Sequence, residues 1–166
     1  ARRNPIEYAR KLGVKVGKEC RFTGNPGWGS EPWLIQIGNH VLLSADVKFS
    51  THDAATFLFR DTEEYKDVFK FAPVVIQDNC FIGMRATILP GVEIGPNSIV
   101  AAGSVVLDLY HPEKSGGGPA HFIETTKEYA DKCKKNRLPY DMKAYKDDMK
   151  TEVLRVTRQE YSFFNE

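Results

Sequence analysis

His52 is the residue whose type and setting could do chemistry. It stands in FSTHDAATFLF, residues 49–59, with Asp53 directly after it. Histidine suits general-base work: with an ordinary pKa of roughly 6.5, much of the imidazole is neutral near pH 7 and can take a proton from a nucleophile. Asp53 could orient or electrostatically support that ring. A metal centre would want several converging histidines, and His40, His52, His111 and His121 show no short His-x-x-x-x-His spacing, so no metal is required.

What positions His52 is a six-residue rhythm. Ile37, Leu43 and Phe49 fall six apart, and after a gap Ile76, Ile82, Ile88, Ile94, Val100 and Val106 resume the spacing. Neither a helix nor a lone alternating strand puts an apolar residue at every sixth position, whereas a parallel β-helix built from hexads does. The fifth places are small or slim (Cys80, Ala86, Val92, Ser98, Ser104), and the second places include Gly83, Gly95 and Ala101. Glycine at these places is expected to relieve the bends through its access to positive φ. Val16 and Phe22 carry the phase back, with Cys20 at a fifth place. Three faces would stack Ile76 on Ile94, Ile82 on Val100 and Ile88 on Val106, about 4.8 Å apart, although the period alone does not give the number of faces.

In this register His52 is the fourth residue of the hexad opening at Phe49, an outward-facing place. His40 is also a fourth residue, but twelve positions earlier and so on another face of a three-sided coil; it reads as solvated surface, as does His111. The rhythm stops right after His52, and residues 53–73 form a long insertion of the kind that is usually functional. An earlier insertion, GNPGWGSEPW, spans residues 24–33.

Around this core, NPIEYARKLG predicts a short helix with Asn4 as N-cap, Pro5 in the first turn and Gly13 past the end. Thr125 and Glu128 are spaced as a capping box, Leu138-Pro139 breaks that helix, and the charged segment to about Glu160 is helical too. The expected organisation is an N-terminal helix over 1–13, a β-helix over 14–123 with loop 53–73, and a helical extension over 124–166. Lys+Arg 23 against Asp+Glu 22 gives a formal charge of +1, no footprint for nucleic acid. No apolar run is long enough to span a bilayer and the start shows no secretory signal pattern, so a cytoplasmic protein is expected. Three cysteines form neither a metal spacing nor an even disulfide framework.

With its repeats, STHDAATFLFR, ILPGVEIGPNSIVAAGSVV and GGGPAHFIETTKEYADKC, the chain closely resembles the hexapeptide-repeat acyltransferases, all-β solenoids with a left-handed parallel β-helix. Within them it is similar to acetyltransferases acting on sugars, capsular polysaccharides and xenobiotics. The resemblance covers most of residues 14–133. It implies a homotrimer with acetyl-CoA, the acyl donor, in the groove between neighbouring coils. It also implies that His52 deprotonates an acceptor hydroxyl or amine, which then attacks the thioester directly. Ile82, Gly83 and Met84 would lie beside the thioester, where a backbone N–H could stabilise the oxyanion, and Arg85 or a lysine of the neighbouring chain could meet the nucleotide phosphates. Ala101 and Ala102 would line the pantetheine channel. Two departures fall here: Leu107 opens LDL where the family commonly has Thr-Lys-Asp, and His121 follows Pro119-Ala120 where the family places a Lys or Arg for the nucleotide phosphates. Trp28, Trp33 and Phe57 could offer aromatic faces to a sugar acceptor, and Glu31 could accept hydrogen bonds from its hydroxyls. The expected activity is O-acetylation of a sugar or glycan precursor. N-acetylation of an amine and a non-catalytic β-helix module stand as alternatives.

Overall fold

A computed structural model describes residues 4–107, 115–116 and 122–160, with only the backbone described for 115, 116 and 160. Pro119, His121 and His111 lie outside these residues, so the expectations placed on them stay with the sequence.

Two-residue and three-residue strands follow one another at hexad spacing. They are β1 (Lys15–Val16), β2 (Arg21–Phe22), β3 (Ile35–Ile37), β4 (Leu42–Leu43), β5 (Lys48–Phe49), β6 (Val74–Ile76), β7 (Phe81–Ile82), β8 (Thr87–Ile88), β9 (Glu93–Ile94), β10 (Ile99–Val100), β11 (Val105–Val106) and β12 (Ser115–Gly116). Three parallel sheets result, in the orders β1-β3-β6-β9, β12-β10-β7-β4-β2 and β11-β8-β5. From β3 to β11 consecutive strands fall on the three sheets in turn, so the chain winds as a three-sided coil. Ile76 pairs with Ile94, Ile82 with Val100 and Ile88 with Val106, as the rhythm predicts. Ile82, Ile88, Ile94 and Val100 are all 0% exposed. Burying each such side chain contributes roughly 1.5–3 kcal/mol before chain entropy is set against it.

The rhythm also runs further than the repeats alone suggest. Trp28 follows Phe22 by six residues, is only 5% exposed, and stacks on Phe49 with ring centroids 5.2 Å apart. Gly27 bridges Lys48 in parallel, so this stretch is the third face of the first coil. Trp28 is therefore core, not an acceptor platform, and the first interruption is confined to the residues after it.

The bends are made differently from the expectation. The second-place glycines Gly83 and Gly95 do not carry the positive φ, and Gly29, after Trp28, is the second-place glycine that does, with φ of 69°. At Gly83 an added Cβ would collide with the backbone of Ala101 and Ala102 in the next coil, so the small residue is required by close stacking. Left-handed backbone falls instead at fourth places: Glu19, His40, Asp46, Asn79, Arg85, Gly91, Asn97 and Gly103 all have φ between 53° and 83°. Asn, Asp and Gly tolerate this region best.

Helix α1 (Pro5–Lys11) opens on Asn4, whose side chain accepts from the Ile6 N–H at 3.0 Å, and Gly13 follows it with φ of 101°. The chain divides into two units, residues 1–127 and 128–166. Most of α2 (Thr126–Lys135) and all of α3 (Met142–Asp147) and α4 (Met149–Glu160) belong to the second. There Glu152, 3% exposed, accepts from the Asp141 N–H and from Arg155, which hold its carboxyl down at about 2. No helix among the described residues is long and apolar enough to cross a membrane.

Candidate active site

The edge between the third and first sheets carries the chemistry. Glu31 is the fourth residue after Trp28's hexad opens, and His52 is the fourth after Phe49's. Because Trp28 stacks on Phe49, Glu31 and His52 are brought together one coil apart. Neither has a positive φ, and at each the chain leaves the coil: Glu31 enters the turn Pro32–Leu34, and His52 enters the loop toward Phe71.

The contact between them is direct. His52 Nδ1 lies 2.8 Å from Glu31 Oε2, and Thr51 Oγ1 donates to the same oxygen at 2.8 Å. The His52 bond, ahead of the Thr51 bond and the imidazole's charge, holds the Glu31 carboxyl below its usual range, while burial opposes the shift. An ionised carboxylate can only accept, so Nδ1 carries the hydrogen, and in the neutral ring Nε2 keeps its lone pair. Thr51 is fully buried, and the side chain of His52 is 34% exposed. The ring is thus fixed on one side and open on the other.

Asp53 makes no hydrogen bond to the His52 ring; the Ala55 N–H first, then Lys70, and last the charge of the imidazole hold its carboxyl below the usual range. Its side chain caps the short 3-10 helix Ala54–Phe59 through the Ala55 N–H at 3.0 Å and accepts from Lys70 Nζ at 3.1 Å. The chain turns away from the coil at this residue, which carries the carboxylate to the helix start. Orientation of the imidazole falls to Glu31, expected among the acceptor ligands. The loop is pinned at its base: Asp53 N–H donates to Lys70 O and Ala72 N–H to Thr51 O, both at 2.9 Å. Phe71 then presents its ring edge-on to His52, with centroids 6.1 Å apart.

Two cavities adjoin His52. One of about 420 Å³ is lined by Ser50, Asp53, Lys70, Leu89, Pro90 and Leu107. Leu107, expected on the donor side, is therefore beside the base within a single chain. The second, of about 300 Å³, includes Glu31, Arg60, Phe69, Lys70 and Phe71 in its wall. Trp33 and Phe57 are 61% and 67% exposed and line neither cavity. The aromatics in the wall are Phe69 and Phe71, which the aperiodic loop sequence did not disclose. In the stacked register, Trp28 was the available signal for Glu31.

Gly83, Met84, Arg85, Ala101 and Ala102 occupy a different edge, between the second and third sheets. Gly83 N–H is spent on Val100 O at 2.8 Å and Arg85 N–H on Ala45 O at 2.9 Å. Met84 N–H has no partner among the described residues, and its side chain is 45% exposed. Of the expected oxyanion donors, Met84 is the one with a hydrogen to offer. One chain does not bring it to His52.

A larger cavity, about 660 Å³, lies on the edge between the first and second sheets. Its polar groups serve the turns: His40 Nδ1 is 2.7 Å from Asn79 Oδ1, and Asn79 Nδ2 donates to Asn97 Oδ1 at 2.6 Å. His40 is a corner residue with its ring engaged.

Residues 73–108 match the family described as bacterial transferase hexapeptide (six repeats). Protein CapG of Staphylococcus aureus is 46% identical over 130 residues, covering 76% of this chain and 74% of CapG. The chain belongs to the hexapeptide-repeat transferases. Another relative, the galactoside O-acetyltransferase of Escherichia coli, is 32% identical over 69% of this chain and 54% of its own length. Among solved structures, a maltose O-acetyltransferase from Clostridium difficile 630 superposes with a TM-score of 0.54 at 25% identity, covering 72% of this chain and 73% of that one. The fold is also shared with a hexapeptide-repeat acetyltransferase of Vibrio cholerae complexed with acetyl coenzyme A, at a TM-score of 0.50 and 24% identity over 72% and 75% of the two chains. These hexapeptide-repeat relatives and neighbours are acetyltransferases by name wherever the name states an activity.

Proposed function

We propose that the protein transfers an acetyl group from acetyl-CoA to a hydroxyl of a sugar or glycan precursor, with His52 as general base. The observation that carries this reading is the 2.8 Å contact of His52 Nδ1 with Glu31, which leaves Nε2 free beside two cavities. In the reaction, Nε2 takes the acceptor's proton as its oxygen attacks the thioester carbonyl. The Glu31 carboxylate offsets the charge of the imidazolium that forms. Collapse of the tetrahedral intermediate releases the CoA thiol, which receives the proton back from His52. Sugar O-acetylation is supported by the names of the E. coli and C. difficile proteins, and acetyl-CoA by the V. cholerae complex.

The working unit in this proposal is a trimer of left-handed β-helices. Within a chain, His52 and the Met84 N–H sit on different edges, so a site containing both needs the donor edge of a second copy. The loop's outward apolar side chains support the same reading. Phe57, Leu58, Phe59, Phe69 and Phe71 are each at least 45% exposed, more apolar surface than a lone soluble chain usually offers. The Met84 N–H of one copy would then face the oxyanion made at another copy's His52.

Calorimetric titration of acetyl-CoA into the protein tests the donor assignment, with saturation near one molecule per chain expected. Thiol release with galactosides and maltose as acceptors tests the reaction. Absence of binding at millimolar acetyl-CoA would remove the transferase reading and favour a non-catalytic β-helix.

A further inference from the structure

Resting on the acetyl-transfer reading above, we infer that the acceptor is an anionic sugar whose carboxylate or phosphate is held by Arg60 while its hydroxyl meets His52. Both residues line the same cavity of about 300 Å³, a volume at the low end for small-molecule sites and suited to one sugar unit. Four charged side chains contribute to that wall. Asp53 and Lys70 form an ion pair at 3.1 Å. Glu31 is engaged by His52 and Thr51 through one oxygen. Arg60 has no ion pair or side-chain hydrogen bond among the described residues, and its buried Nε has no hydrogen-bond partner.

Arg60 is nonetheless held in place. It ends the 3-10 helix Ala54–Phe59, and its guanidinium carbon lies 4.6 Å from the centroid of the Phe69 ring, which stacks in turn on Phe71. Phe71 meets the His52 ring edge-on. A planar guanidinium fixed against an aromatic face, with donors unused, is a fork for a carboxylate or phosphate. A buried donor such as this Nε is costly to leave without a partner, and an anionic ligand group would satisfy it. The acidic neighbours in the loop do not supply that group: Glu63 pairs with Lys66, and Asp61, Glu64 and Asp67 are exposed and form no ion pair with Arg60 among the described residues. Neutral sugars would leave the fork unfilled. The same chain of rings links occupation of Arg60 to the position of Phe71 against the base.

The test compares acceptors paired by a neutral or an anionic group at C6. Galactose is set against galacturonate for the carboxylate source, and glucose against glucose 6-phosphate for the phosphate source. Binding is followed by the ring-proton NMR signals of His52 without any donor, and transfer by thiol release from acetyl-CoA. One charged member of a pair should bind, and be acetylated in kcat/KM, about tenfold or more better than its neutral partner. That preference should fall with added salt. Arg60→Gln should bring the ratio near one, and Arg60→Lys should keep part of it, since a lysine retains the charge but not the fork. If Arg60 only braces the loop, its substitution will lower both acceptors alike and leave the ratio unchanged, which overturns the inference. Equal or weaker response to both charged sugars in the wild type overturns it as well. Charge-dependent binding that Arg60→Gln abolishes, with no thiol release from any acceptor, would uphold the anion site while removing the acetyl-transfer reading.

Discussion

Gly91 and His52 hold the same place in successive coils, the fourth residue on the edge between the third and first sheets, and they do opposite things. Gly91 turns with φ of 83°, and the chain goes straight into the next strand. His52 stays out of the left-handed region, and the chain leaves for a loop that returns only at Phe71. One corner closes the prism; the other spends the closure on a side chain aimed beside a cavity. The contrast teaches that catalytic geometry here comes from interrupting a repeat at a defined register. Glu31 repeats the device one coil earlier, which is why the two side chains meet.

The comparison can be broken from below by removing what sets the register. Trp28→Ala takes a buried ring from beneath Phe49 and should cost about 3–5 kcal/mol, read by denaturant unfolding. It should also loosen the Glu31–His52 contact. The turning corner is tested by Gly91→Val, which places a β-branched residue at φ of 83° with only Ala72 nearby, at 3.6 Å from the new Cβ. Backbone conformation then dominates, and a loss of about 1–2 kcal/mol is expected in the same unfolding measurement.

Acid should distinguish the departing corner. The Glu31 carboxyl is held below its ordinary value, so the stability it lends is complete above that value and is lost as pH falls through the lowered one. Glu31→Gln should flatten that acid limb in thermal melts taken downward from pH 5. The smallest change is expected at Asp46→Gly. There glycine relieves a φ of 58° but gives the unfolded chain more freedom, and stability should stay within about 0.5 kcal/mol.

The prism was legible because its cause is periodic: Ile or Val at every sixth place, with small residues where the wall narrows. The α1 cap was legible because Asn4, Pro5 and Gly13 act locally. Trp28 was misread because its neighbours, Asn25-Pro26-Gly27 and Gly29, have loop composition, although its own place is in phase. That one misreading hid Glu31's role, since only the stacked register puts residue 31 against residue 52. Arg60, Lys70, Phe69 and Phe71 were beyond sequence reach. Their meeting depends on how an aperiodic loop folds back through the Asp53–Lys70 and Thr51–Ala72 bonds.

The measurement that tests the His52–Glu31 pair most directly is the pH dependence of thiol release from acetyl-CoA for the wild type, His52→Ala and Glu31→Gln. Loss of His52 should lower the rate about 10²–10⁴-fold and abolish the rising limb with pH. Glu31→Gln should cost less, because the base is kept and only the carboxylate that orients the ring and offsets its charge is lost. A His52→Ala protein that keeps the wild-type rate and profile would contradict the assignment of the base.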